Sequence, residues 1–495
     1  MSLLPSLLLN LTLADIAIAI TLLFLSSSLM NYLTSKGPMM WPVLGIIPTL
    51  FFHISNIYEW ATDAVLCSGG TFPFRGMWFG RCYGIITIDP LNIEYMLKTR
   101  FSNFPKGRYY RERFLDFLGD GIFNADDQTW KDQRRAATSE MHSARFAQYS
   151  VETIRELVHR KLLVLLERLA DGNLAVDLQD VFLRFTFDNI CTAAFGVDPG
   201  CLGIDLPVIP FVWKVMKSLN VCTEKKLKEA IKTVHEFAEK TVSKRRAEFL
   251  KLEGLDNRSD LLSRLMEVDD VESGKFKFSD KFLKDFCISF ILAGRDTSSV
   301  ALAWFFWLLN QHPHVEQRIL EEISTILGKH RLNSSTILTA DELKRMEYLQ
   351  AALSESLRLY PSVPIDFKEV QNDDVFPDGT RVMKGARVIY SIYSMARDKS
   401  IWGNDFREFK PERWIKDGVF VSENQFKYAV FNAGPRLCIG KKFAYMQMKM
   451  VAASILMRYH VEVVKGQEVM PKMTTTLYMR NGLKVLVRPR DKSFM

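Results

Sequence analysis

The residues able to do chemistry converge on one short stretch, 431–440, which reads Phe-Asn-Ala-Gly-Pro-Arg-Leu-Cys-Ile-Gly. Cys438 is a lone thiol between Gly434 and Gly440, with Arg436 two residues before it. The Ala- and Met-rich run at 441–459 reads as a helix, so Cys438 lies at or just before a helix N-terminus. Backbone N–H groups and the helix dipole there favour a thiolate over a thiol. The glycines let the backbone fold tightly round the sulfur and bring a flat ligand close to the main chain. Arg436 offers a rigid cationic fork for a carboxylate beside that sulfur. Together these describe a thiolate ligand for haem iron, with Arg436 for a haem propionate. The bland reading is a small buried hydrophobe, which is what most lone cysteines are.

Three further constellations bear on that choice. Trp130 and Arg134 are four apart and share one face of a helix. Ala293-Gly294-Arg295-Asp296-Thr297-Ser298 interrupts the longest helical pattern in the chain with residues that a core helix normally avoids. A threonine hydroxyl or a water that opens the helix there leaves room beside it for a small ligand. Asp296 and Thr297 make an acid–alcohol pair able to pass protons inward. Glu355 and Arg358, three apart on a helix, face the same way and can pair. Surface pairs at that spacing are common, so this match is weak taken alone.

The spacing Phe431, Gly434, Arg436, Cys438, Gly440 resembles the haem-binding signature of the cytochromes P-450, and the likeness extends over almost the whole chain. Residues 431–436 and the run Tyr-Met-Gln-Met-Lys at 445–449 are similar to the plant fatty-acid omega-hydroxylase branch. The resemblance implies haem b held by the Cys438 thiolate, with Trp130 and Arg134 on a propionate. It implies that Ala293, Gly294, Asp296 and Thr297 are the oxygen-activating motif. It also implies that Glu355, Arg358 and Arg413 hold the loop leading to Cys438. Ala293 stands where related animal hydroxylases carry a glutamate that can tie haem covalently, so non-covalent haem is expected. Ser362 stands where many relatives carry a second proline, a departure expected to leave the haem site unaffected.

These residues need a scaffold that is mainly α with a small β region, the cytochrome P-450 fold, preceded by a transmembrane anchor. Residues 1–33 form two apolar lobes, 3–13 and 16–33, separated by Asp15, and read as that anchor. Lys36 follows and no Lys or Arg precedes, which puts the C-terminal side in the cytosol. A cleaved signal peptide would need a basic start. Residues 34–49 read as a proline-rich, non-helical hinge, and 50–495 as one haem-thiolate catalytic domain. Within it, 71–79 and 84–89 read as a hairpin. Residues 154–169, 178–194 and 226–250 read as helices, and 206–211 as an apolar stretch able to line a substrate entrance. The central helix runs from an N-cap at Ser279 to about Gln311, roughly 45 Å. The stretch 360–366 reads as extended over the pocket. Residues 472–477 and 483–488 read as a hairpin turning at Asn481–Gly482.

The composition is that of a globular chain: 495 residues, 48% hydrophobic, net charge +8 with no long basic block. Nucleic acid is therefore excluded as a partner, while a membrane surface or an acidic protein fits. Seven cysteines, none spaced as Cys-x-x-Cys, argue against a zinc or disulfide framework. His312 and His314 flank Pro313 and read as surface residues of a turn. No dinucleotide-binding glycine motif is present, so electrons must come from a partner, by resemblance NADPH–cytochrome P-450 reductase. Lys131, Arg135, Lys441 and Lys442 are candidates for docking it. The expected protein is a single-pass enzyme of the endoplasmic reticulum membrane acting on a lipid, most directly a long-chain fatty acid at its terminal carbon. In-chain or alkane hydroxylation is the alternative, and a haem-thiolate isomerase or dehydratase would lack Asp296–Thr297. A non-catalytic haem sensor would need a second iron ligand near Gly294.

Overall fold

The computed structural model describes residues 12–34, 37–78, 82–202, 224–252, 254–255, 258–267, 278–328 and 336–490. Most of the first apolar lobe, Lys36, residue 79, the 206–211 stretch and Cys222 lie outside them. The chain forms two compact units, one from the N-terminal stretch up to Phe104 together with Ile365–Asp398, the other from Pro105–Pro364 together with Lys399 onward.

The first unit begins with the helix Leu13–Thr34, which is apolar on every side; Leu13, Ile18, Leu22, Leu25 and Leu29 are all exposed. Its 22 residues span about 33 Å, the thickness of a bilayer's hydrocarbon layer. The proline-rich stretch after it is folded rather than extended. Trp41 stacks on Phe24 at 6.2 Å, Asn31 Oδ1 accepts the Met40 N–H at 3.1 Å, and Trp41 and Gly45 exchange two backbone hydrogen bonds. Gly45 has φ +61°, and a Cβ there would collide with the Arg75 carbonyl. The expected absence of helix fails at its end, where Pro48 sits in the first turn of Ile47–Phe52. A proline has no N–H to lose at that position. The expected hairpin is present, with strands Thr71–Arg75 and Tyr83–Thr87 in register Thr71↔Thr87. It continues into Arg387–Ser391 and then Ile365–Glu369 to make four strands.

The second unit is helical. The expected 154–169 helix is three segments, Ala144–Leu157, a π turn at Val158–Leu162, and Leu163–Asp171. Leu178–Phe195 and Glu224–Leu252 match their expected spans closely. The central helix is Asp280–Gln311, its Ser279 hydroxyl accepting the Phe282 N–H at 3.2 Å. Its apolar second half, from Val300 to Leu309, is almost wholly buried. His312 precedes the helix Pro313–Leu327, its Nδ1 lying 2.9 Å from the Leu308 carbonyl. The tail differs from expectation. Gly482 makes the expected turn at φ +73°, but the arms on either side of it do not pair. Lys484–Pro489 pairs instead with Tyr459–Val463 and Val176–Asp177. Asp177 Oδ1 accepts the Leu483 N–H at 2.9 Å, which draws the arm away to that sheet. Residues 471–479 close on themselves through a bridge from Pro471 to Met479.

Candidate active site

The loop before Cys438 is shaped by two single 3₁₀ turns, Ala429–Phe431 and Gly434–Arg436, with Asn432 and Gly434 both at φ +61°. Its neck is closed by the Cys438 N–H donating to the Phe431 carbonyl at 2.8 Å. The helix Lys441–Leu456 starts immediately after, with Gly440 as N-cap. Phe431 packs on Tyr445 of that helix at 5.2 Å. The Cys438 side chain faces open space instead of packing as a small hydrophobe. Protein surrounds that space, and this burial pushes the thiol up, against the Gly440 N–H and the Arg134 and Lys441 charges, which pull it down. The Gly440 N–H at the start of the helix thus acts in the direction expected of a helix terminus, and a cation bound at the sulfur would add to it.

Trp130 is buried on the helix Asp127–Met141, and the Arg436 guanidinium lies over its ring at 4.6 Å. Arg436 Nη2 donates to Asp126 Oδ1 at 2.6 Å and to the Ala125 carbonyl at 3.0 Å. In this structure the carboxylate facing Arg436 is thus Asp126, which also accepts the Lys106 and Gly107 N–H groups. Nothing in the sequence singled out Asp126, because an acid just before a helix reads as an ordinary cap. Arg134, one turn beyond Trp130, feels both the Cys438 and Arg436 charges and is pulled down mainly by burial. A cavity of about 480 Å³ opens along this helix, lined by Trp130, Lys131, Arg134, Arg135, Thr138 and Ser139.

The central helix carries one open stripe. Ala293, Gly294 and Thr297 are half-exposed, while Arg295, Asp296, Ser298 and Ser299 around them are buried. Positions 293 and 297 are one turn apart, so a ligand would meet only small side chains there. The helix does not open at Thr297, as the sequence had led us to expect: its hydroxyl donates to the Ala293 carbonyl at 2.7 Å and the helix runs on unbroken. Gly294 is set by packing, since a Cβ there would lie 2.4 Å from Ile190 of Leu178–Phe195. Asp296 is engaged elsewhere, ion-paired with Arg295 at 2.6 Å and in hydrogen-bonding contact with Tyr478. Burial first, and then Asp296, raises the Tyr478 hydroxyl far above its ordinary range. Tyr478 was invisible in the sequence because it lies almost two hundred residues away.

Glu355, Arg358 and Arg413 meet as expected. Arg358 Nε and Nη2 donate to the two Glu355 oxygens at 2.8 and 2.9 Å, and Arg413 Nε reaches Glu355 Oε1 at 3.3 Å. Trp414 Nε1 adds a bond to Oε2 at 2.9 Å, and Arg358 also holds the Phe406 and Glu408 carbonyls. Glu355, Arg358 and Trp414 are buried and Arg413 lies at the edge, and every partner falls between residues 355 and 414, the segment that precedes the Cys438 loop.

An open soft donor at Cys438, a stripe of small residues at 293, 294 and 297, and the cation Arg134 near that donor suit a flat, apolar, anion-bearing macrocycle such as haem. The family model of cytochrome P450 matches residues 36–488. Cytochrome P450 86B1 of Arabidopsis thaliana is 52% identical, over 92% of this chain and 87% of its own length. Cytochrome P450 94A1 of Vicia sativa is 39% identical over 92% and 91%. Alkane hydroxylase MAH1 of Arabidopsis thaliana is 35% identical over 90% and 92%. The ligand loop and a likeness that spans nearly every residue agree, and the chain belongs to the cytochrome P450 family, monooxygenases that carry a cysteine-ligated haem b.

Proposed function

We propose that this protein hydroxylates long-chain fatty acids at the terminal carbon, with Cys438 as the iron ligand and Asp296 and Thr297 moving protons. The observation that carries the site assignment is Cys438, an outward-facing sulfur fixed at the neck of its own loop by the Phe431 carbonyl. When bound, haem supplies activation of dioxygen and attack on an unactivated C–H bond. The chain's share is placement and proton access. Arg134 and Arg436, with Trp130 beneath the latter, would hold the propionates. Ala293 keeps the distal side clear and has no carboxyl to esterify, while Gly294 lets the helix pack closely on Ile190. The Thr297 hydroxyl is already ordered by Ala293, and Asp296 would have to leave Arg295 to take part. Phe431, Gly434 and Gly440 shape the loop, while Glu355, Arg358 and Arg413 brace the segment before it.

The substrate class rests on the relatives, joined by the apolar character of 286–293 and 363–365. One relative is named an alkane hydroxylase, so in-chain attack or alkane oxidation is the competing reading. Electrons would come from an NADPH-dependent reductase. Lys131, Arg135 and Lys442 are exposed and suit an acidic partner, whereas Lys441 is half-buried over the Phe431 ring. The helix Leu13–Thr34 would anchor the chain once in the endoplasmic reticulum membrane with the catalytic part in the cytosol. The test is turnover of palmitic, oleic and longer acids, and of alkanes, by the reconstituted protein, with the hydroxyl located by mass spectrometry. Mainly terminal product from the acids is expected; in-chain product, or turnover of alkanes alone, overturns the omega-hydroxylase reading. Cys438→Ala should abolish the red-shifted carbon-monoxide band of the reduced haem, and an unchanged band would refute the ligand assignment.

A further inference from the structure

Ser362 is nine-tenths buried, and its hydroxyl donates to the main-chain carbonyl of Thr297 at 2.7 Å. Its own carbonyl accepts the Leu477 N–H at 2.9 Å, and the Leu477 carbonyl accepts the Trp304 indole N–H at 2.6 Å. Trp304 in turn stacks flat on Tyr360 at 4.0 Å. These links form a closed circuit. It ties the 360–364 segment, expected to lie over the substrate pocket, and the 471–479 loop to two points on the central helix, Thr297 and Trp304. Ser362 is the tie that reaches the residue whose hydroxyl we assign to proton delivery. A proline at this position would have no donor to make it.

We infer that Ser362 is a positioning residue for Thr297, coupling the seating of substrate against 360–364 to the timing of proton delivery. The inference rests on the proton role proposed for Thr297. In coupled turnover, dioxygen, two electrons from NADPH and two protons convert the lipid C–H to C–OH and release water. When protons arrive out of place, the same electrons and protons leave as hydrogen peroxide. Ser362 acts through geometry: its bond pulls on the carbonyl of the residue that must present its hydroxyl, and a walled pocket that shifts with substrate shifts that bond.

The test compares full-length, reductase-supplied parent, Ser362→Ala, Ser362→Thr, Thr297→Ala and the Ser362→Ala/Thr297→Ala double variant. The probe is palmitic acid, or hexadecane if the alkane is what the parent turns over. Peroxide per NADPH is measured beside melting temperature and haem content. Ser362→Ala should raise peroxide per NADPH about five-fold, the scale of one lost hydrogen bond. Ser362→Thr, which keeps the hydroxyl, should restore most of the coupling, and the double variant should be no worse than Thr297→Ala. If Thr297→Ala uncouples but Ser362→Ala loses only melting temperature or haem, Ser362 is structural and the inference is overturned alone. An additive double variant overturns it in the same way. If Thr297→Ala stays coupled, the proton-delivery reading falls and takes this inference with it.

Discussion

Among the buried ion pairs of the second unit, those at Glu355 and at Asp296 are of similar makeup and opposite design. At Glu355 both carboxylate oxygens are taken, by Arg358 twice, by Arg413, by the Trp414 indole and by the Lys410 N–H. Nothing in that cluster can move without leaving a charge unpaired in a dry interior. At Asp296 the carboxylate has a charged partner that is its own sequence neighbour, Arg295, together with the Tyr478 hydroxyl. Arg295 and Asp296 are neighbours on the helix and both buried, so this pair is local and has fewer partners than the Glu355 carboxylate. One cluster is saturated with partners, and the other sits beside a half-exposed stripe of the central helix.

Replacing Glu355 by Ala should break the first cluster outright. It leaves the Arg358 charge buried and costs about 3–5 kcal/mol. Little haem-loaded protein should be recovered, and what remains should melt far below the parent; a near-parental melting temperature would remove the bracing role. Asp296→Asn is the corresponding cut in the second cluster. It should cost less, about 1–3 kcal/mol, because the amide can still accept from Arg295. Turnover should fall much more than haem content does, and equal losses of both would place Asp296 among the structural residues.

Thr297→Ala sharpens the contrast further. Only a hydroxyl bonded to the Ala293 carbonyl is lost, so calorimetry should record a change within about 1 kcal/mol. Product per NADPH should nevertheless drop. The smallest effect concerns the rim of the first cluster, where Asp405 faces Lys410 at 2.9 Å and Arg413 at 3.0 Å. Those partners, Lys410 foremost, hold its carboxyl down to about 2. A lowered native pKa stabilises above the unfolded value and is lost as pH falls toward the native one. The parent should therefore lose this contribution between about pH 4 and pH 2. Asp405→Asn should lose the same contribution at neutral pH, kept small by solvent screening of this partly exposed pair, and parent and variant should converge in stability at about pH 2. A parental acid profile for the variant would contradict the assignment.

What could be read from the chain in advance follows the range of the interaction. The spans of Leu178–Phe195, Asp280–Gln311 and Lys441–Leu456 were legible because helical periodicity and caps are local. The Glu355–Arg358 pair was legible for the same reason, lying within one turn. The tail hairpin was misread because Asn481–Gly482 is a strong local turn signal, while the strand after it was claimed by Asp177, some three hundred residues earlier. Thr297 was picked out as unusual, yet its hydroxyl closes a bond instead of opening the helix.

By itself, then, the sequence determined the lone sulfur, the glycines that bend the loop before it, the helix it precedes and the apolar helix Leu13–Thr34. Each depends on residues within a few positions of one another, where backbone geometry leaves few choices. Only the tertiary structure decided that Arg436 faces Asp126, that Gly294 is small to admit Ile190, that Tyr478 sits on Asp296 and that Ser362 ties Thr297. Those contacts join residues that are far apart in the chain and are selected by packing and by the need to satisfy every buried polar group. No spacing in the sequence records that requirement.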